Sequence, residues 1–152
     1  MAFAARTWRM NASTAASYPV VGIADAEPIP FPGLTDSHSA THSLQAVMRE
    51  HRYASWRTAL SSVFGIYLVT DTRDGRHYVG QAAGAGGIRQ RWTAYATNGH
   101  GGNVELQGLD PSSFRFSLLR VFDPSTPRTD NDVAESHFKN ALDSCRHGLN
   151  RN

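Results

Sequence analysis

Cysteine is nearly missing from this chain, and so is lysine. The one thiol, Cys145, excludes an intrachain disulfide framework and fits a reducing compartment. Lys139 stands alone against fourteen arginines, so the cationic surface is almost entirely guanidinium. Guanidinium suits bidentate phosphate contacts, although codon usage in a GC-rich genome produces the same surplus. Formal net charge is only +2, so charge by itself does not single out nucleic acid. No apolar run approaches the roughly eighteen residues of a membrane-spanning helix, so no membrane partner is expected. Acids are missing before Asp25, but Arg6 and Arg9 interrupt the start, and the apolar stretch of a secretory signal is absent. The default compartment is the cytoplasm.

What is present is an ordinary globular composition, 40% hydrophobic and 18% charged over 152 residues, enough for one domain around one core. Residues 1–40 carry Pro19, Pro28, Pro30 and Pro32 among small residues, with no sustained period, and read as an irregular or partly disordered arm. Residues 41–61 read as a helical lead-in. Thr41 caps a helix over 42–52 whose apolar stripe is Leu44, Val47 and Met48, and a second piece covers Trp56 to Leu60. His38, His42 and His51 are scattered here, as solvated histidines are, without the spacing of a zinc site.

Residues 62–152 form the main domain, organised around Gly65-Ile66-Tyr67 and, eleven residues after Tyr67, Tyr78-Val79-Gly80. Between them Asp71-Thr72-Arg73-Asp74-Gly75 is a cluster of turn formers. The β-branched and aromatic flanks make this a β-hairpin. An even-length loop points Tyr67 and Tyr78 at one face; an odd one needs a bulge to do so. The glycine-rich stretch Gln81 to Gly87 is not followed by Gly-Lys-Ser/Thr and is not embedded in a βαβ unit, which excludes a nucleotide-binding P-loop. It remains available as a hinge or a backbone contact to phosphate.

A helix from Ile88 to Thr97 follows, with Ile88, Trp92 and Tyr95 as its apolar stripe. Arg91 borders that stripe and shares a side with Tyr95, whereas Arg89 faces solvent. His100 sits in a glycine-rich loop, and 104–109 reads as a short helix. Phe114 to Phe122 is a third strand. A last helix spans Asp130 to Arg146, with Ala134, Phe138, Ala141, Leu142 and Cys145 facing the core and Glu135 at the margin of the buried side. A carboxylate so placed needs a cation or metal partner, or reaches water beside the stripe.

The hairpin resembles the signature of the GIY-YIG nucleases, with Val79 in place of the second isoleucine. That family follows its hairpin with a helix bearing an essential arginine beside a tryptophan, as in Arg91-Trp92. A histidine or tyrosine comes one turn on (Tyr95), then a second histidine in a short loop (His100). A later helix supplies a metal-binding glutamate, matched by Glu135, and an asparagine follows in a Gly-x-Asn setting, matched by Gly148-Leu149-Asn150. The resemblance covers residues 62–151. It implies an α/β (α+β) fold with a small central three-stranded antiparallel sheet flanked by helices.

For function, the resemblance implies a metal-dependent DNA endonuclease that hydrolyses phosphodiester bonds with one Mg²⁺ or Mn²⁺ ion on Glu135. Tyr67 is the implied general base, with Tyr78 positioning the water or sharing that role, and Arg91 stabilises charge on the phosphate. Tyr95 and His100 contact the scissile group or relay protons, and Asn150 orients Glu135 or the phosphate. Arg91, His100 and Asn150 are thus the implied substrate-binding residues. Two departures, the glycine-rich insertion before Arg91 and a tyrosine at 95 where histidine is common, leave the identity of the base open. The same letters fit a catalytically inactive nucleic-acid-binding or scaffold module, with the tyrosines in a core and Arg91 paired to Glu135. The first sixty residues offer no trusted recognition element, so target specificity is low, lodged in loops, or supplied by a protein partner or self-association.

Overall fold

The central strand is the most apolar stretch of the domain, and it is flanked on both edges. A computed structural model describes residues 27–34 and 44–151. Strand β1 (Phe64–Asp71) pairs antiparallel with β2 (His77–Ala82) on one side and β3 (Phe114–Phe122) on the other, giving the order β2-β1-β3. The hairpin turn fixes which side chains share a face. The Asp71 N–H bonds to the Arg76 carbonyl at 3.0 Å, so residues 72–75 make an even-length loop. Tyr67 then lies opposite Gly80 and Val69 opposite Tyr78, which puts both tyrosines on one face.

That face is covered by α3 (Gly87–Asn98), whose Ile88, Trp92 and Tyr95 are buried against Tyr67, Val69 and Leu118. The opposite face is covered by α4 (Arg128–Ala141), with Ala134 and Phe138 against Ile66, Val79 and Phe122. The domain is therefore a helix–sheet–helix sandwich, the expected α+β architecture. A register shift where Ile66 faces Arg120 and Tyr67 faces Leu118 leaves Leu119 as an extra residue on β3. This bulge accounts for the sequence alternation that breaks after Leu118: Phe114, Phe116 and Leu118 face α3, whereas Leu119 and Phe122 pack on the α4 side.

The lead-in is more broken than the sequence suggests in its first part and longer in its second helix. α1 is Leu44–Arg49, a 3-10 turn covers His51–Tyr53, and α2 is Ala54–Ser61. Glu50 adopts extended backbone and ends α1. Arg57 of α2 then donates to the freed carbonyls of Val47 (2.8 Å) and Glu50 (2.6 Å), which holds the two helices together. The proposed cap Thr41 and the histidines His38 and His42 lie outside the described residues. Residues 27–34, part of the expected irregular arm, lie along this unit: Phe31 stacks edge-on with Trp56, and the Trp56 indole donates to the Pro30 carbonyl at 3.1 Å.

Two further boundaries differ. Residues 104–109 give only a 3-10 turn, Val104–Leu106. The last helix stops at Ala141, because Asp143 takes a left-handed φ of 47° and the Ser144 N–H turns back to the Lys139 carbonyl. Ala141 and Cys145 are consequently exposed and not part of the core. The chain beyond turns back to the sheet, where the Leu149 N–H reaches the His77 carbonyl at 2.7 Å. None of the described helices is long and apolar enough to cross a membrane.

Candidate active site

The face of the sheet under α3 gathers three phenols around one guanidinium. Tyr67 lies at the centre of β1 with no exposed surface, its ring crossing over its cross-strand partner Gly80. A Cβ at Gly80 would lie 2.5 Å from both Cζ and Oη of Tyr67, so only glycine admits the phenol here. Trp92 and Tyr95 meet Tyr67 edge-on with ring centroids 6.4 and 6.0 Å away. Arg91, one turn before Tyr95, lays its guanidinium 5.6 Å from the Tyr95 ring centroid.

Hydrogen bonds join these groups. Arg91 Nε donates to Tyr67 Oη at 3.0 Å, and the Tyr67 and Tyr95 hydroxyls are 3.1 Å apart. The remaining links converge on Asn103, which sequence reasoning passed over. Its Oδ1 accepts from the Tyr78 hydroxyl at 2.9 Å and from Arg91 Nη2 at 3.3 Å, while its Nδ2 donates to the Tyr95 hydroxyl. A loop shaped by Asn98 brings Asn103 there. Asn98 Oδ1 accepts from the His100 and Gly101 N–H groups, and Gly101, at φ 58°, lies so close to the Tyr95 ring that a Cβ would clash at 2.8 Å. His100 lies in this loop, but its Nδ1 accepts from the Gly102 N–H at 3.0 Å and the ring joins none of the tyrosine hydrogen bonds.

Burial governs the titration of the phenols. It pushes Tyr67 upward despite the opposing pull of Arg91, and it raises Tyr95 as well. Tyr78 is pushed up to about 12, first by burial and then by Tyr67. All three are neutral at neutral pH. Burial also works against the charge of Arg91, but the surrounding phenol oxygens outweigh it and its pKa is raised. Among the described residues Arg91 has no carboxylate within ion-pair distance. A partly buried cation lined by neutral oxygens and lacking an acid is costly to keep unless an anion visits it.

Glu135 approaches from the other side of the sheet, around the β2 edge. Its Oε1 is 3.4 Å from Lys139 Nζ, and its Oε2 accepts from Gln81 Nε2 at 3.0 Å. The same amide nitrogen donates to Asp132 Oδ1 at 2.9 Å, so one N–H₂ group holds two carboxylates side by side. The charge of Glu135 adds to the upward push on Tyr67 and Tyr78, behind burial. Gln81 Oε1 is buried with no hydrogen-bond partner among the described residues. Two carboxylates and an unpartnered carboxamide oxygen are hard donors of the kind Mg²⁺ or Mn²⁺ takes, so the residues fit such an ion. No group of three or more His, Cys, Asp or Glu occurs among the described residues, so the protein alone would fill only part of its coordination shell. A cavity of about 300 Å³, lined by Gln81, Gly84, Gln90 and Arg91 among others, opens beside the guanidinium.

Comparison with protein-family models, curated proteins and solved structures finds no match. Tyr67, Tyr78, Arg91 and Tyr95 form one bonded cluster, with Glu135 near enough for its charge to act on the hairpin phenols. His100 stands apart from that cluster. Asn150 is buried along the outer edge of β2, where its Oδ1 accepts from the Val79 N–H at 2.8 Å and its Nδ2 donates to the Val79 carbonyl at 2.9 Å. Both amide atoms serve the strand, so Asn150 pairs the open edge of the hairpin as a neighbouring strand would. Asn103 and Asp132 are the residues that sequence reasoning missed. Asp132 had a signal, since it lies one turn before Glu135 on the same helix side. Asn103 had none beyond its place after the glycine-rich loop.

Proposed function

We propose that this chain is a metal-dependent endonuclease that hydrolyses phosphodiester bonds in DNA, of the GIY-YIG kind its hairpin resembles. The observation that carries the reading is Arg91: a partly buried guanidinium with no acid partner among the described residues, held by Tyr67 and Asn103, on a residue that lines an open cavity. Such a group supplies the charge that a phosphodiester in flight from water would need. The arginine, the phenols and Glu135 fall in the order of the family motif, which supports the same reading.

In this reading Arg91 grips a non-bridging oxygen of the scissile phosphate. A water adds to phosphorus while losing its proton to a hairpin phenolate. The P–O3′ bond breaks, and the 3′-oxygen leaves and takes up a proton, giving a 3′-hydroxyl and a 5′-phosphate. Glu135, with Asp132 beside it, would hold a divalent ion, which supplies charge neutralisation at the phosphate and the leaving oxygen. Because burial keeps the phenols neutral, the one that acts as base must first lose its proton to solvent, and the Arg91 guanidinium favours Tyr67 for this through its direct hydrogen bond.

One observation favours a second reading, a non-cutting DNA-binding module: Tyr67 is wholly buried and Tyr95 is 2% exposed, as core tyrosines are. Purified protein with Mg²⁺ or Mn²⁺ on supercoiled plasmid separates the two. The nuclease reading expects nicking that falls by two or more orders of magnitude in Glu135→Ala, Arg91→Ala and Tyr67→Phe. DNA bound but left intact by all four proteins is the result expected of the binding module.

A further inference from the structure

We propose that Asn103 Oδ1 occupies an oxyanion position framed by Arg91 and Tyr78, and that a phosphate oxygen enters the site by displacing it. One carboxamide oxygen receives both a guanidinium N–H, at 3.3 Å, and a phenol O–H, at 2.9 Å. These are the two donors that a phosphate oxygen seeks, one cationic and one neutral. Arginine can only donate, so the atom facing Arg91 must be the oxygen, which fixes the amide orientation. The partial negative charge of that oxygen stands where a full one belongs. With no carboxylate on Arg91, nothing in the described cluster matches its charge.

The plug is built to move. Asn103 follows Gly102, which has a φ of 84° and open space around its Cβ position, and it precedes a single 3-10 turn. A rotation about the side-chain torsions swings Oδ1 away from both donors without unfolding the loop, and Nδ2 leaves the Tyr95 hydroxyl with it. Arg91 also lines the cavity it shares with Gln81, Gly84 and Gln90, so one side of this residue is open to a phosphate-sized group. Burial keeps the Tyr78 hydroxyl protonated, with its pKa up to about 12, so it remains a donor across the physiological range. The titratable and charged groups around this position are Arg91 and Tyr95 from α3, Tyr67 from β1 and Glu135 from α4, and Arg91 is the one cation among them.

This inference deepens the nuclease reading and rests on its assignment of Arg91 to phosphate, but it is tested without strand cleavage. Inorganic phosphate is titrated into the full chain in the absence of divalent metal, with NMR following the Arg91 Nε–H and the Tyr78 ring. Saturable shifts are expected at both. Removing the plug in Asn103→Ala should tighten phosphate binding by about fivefold or more, the worth of one or both of the hydrogen bonds that phosphate no longer has to displace. Asn103→Asp, which keeps the shape but ties a carboxylate to Arg91, should weaken it by about tenfold or more. Arg91→Ala should abolish it. Weaker or unchanged binding in Asn103→Ala overturns the proposal, as do unmoved Arg91 and Tyr78 signals. Should Asn103→Ala not fold, Asn103→Asp decides: binding equal to wild type refutes the plug. Nicking activity with no phosphate response would sink this inference alone, and phosphate binding without nicking would sink only the hydrolytic reading.

Discussion

Replacing Gly80 by alanine tests the geometry on which the site depends. The added Cβ would come within 2.5 Å of Tyr67 Cζ and Oη, and 2.9 Å of the Tyr78 ring. Tyr67 cannot retreat freely, since it has no exposed surface and abuts Trp92 and Tyr95 edge-on. Overpacking of this kind costs about 1–3 kcal/mol. A shift of the phenol also stretches its bonds to Arg91 at 3.0 Å and Tyr95 at 3.1 Å, a further loss of about 0.5–1.5 kcal/mol each. Alanine restricts the unfolded chain and returns about 0.4–1 kcal/mol. The net expectation is a loss of about 2–4 kcal/mol, or roughly 1–2 M in the urea midpoint at unchanged slope. Gly84→Ala is the control, because its Cβ meets only the flexible end of Gln90 and should change stability by less than about 0.5 kcal/mol. In the double variant Tyr67→Phe with Gly80→Ala, removing the hydroxyl relieves part of the clash, so the two losses should add to less than their sum. A Gly80→Ala protein as stable as its Gly84→Ala counterpart would refute the cross-strand argument.

Two further outcomes follow from contacts outside the phenol cluster. Asn150→Ala strips Val79 of both backbone partners and should cost about 2–4 kcal/mol, with the Val79 amide losing hydrogen-exchange protection; an amide still protected would mean another group takes over. Asp71, buried at the end of β1, is held well below the usual carboxylate range, first by its hydrogen bonds from Arg73 and then by the Arg73 and Ser113 contacts that outweigh its burial. Since the folded pKa is depressed, the stabilisation is present above about pH 4 and drains away as pH falls below it. The urea midpoint of Asp71→Asn should therefore vary less with pH in that acidic window than that of wild type. Parallel curves would show that Asp71 is not the group responsible.

What the sequence made legible is what depends on neighbours along the chain. The turn formers from Asp71 to Gly75 and their β-branched flanks announce a hairpin, and the spacing of Ile88, Trp92 and Tyr95 announces a helix with one buried face. The parity of the turn carries Tyr67 and Tyr78 to a common face, while Arg91 follows Tyr95 by helical geometry alone. Errors gathered where a distant contact overrode local pattern. The first helix ends at Glu50 because Arg57 takes its carbonyls, and the last stops at Ala141 because the chain turns back to meet His77.

The sequence by itself determined the sheet, the helix that covers it, and the set of side chains able to reach one face, because those follow from periods of two and 3.6 residues read locally. Only the tertiary structure decided which polar atoms meet. It brought Asn103 to Arg91, Tyr78 and Tyr95, set Asn150 on the backbone of Val79, and gave Glu135 to Gln81 and Lys139 and not to Arg91. Those pairings bind atoms to within a few tenths of an ångström across loops whose course no periodicity records, and a half-buried guanidinium finds its neighbours only when the chain has closed around it.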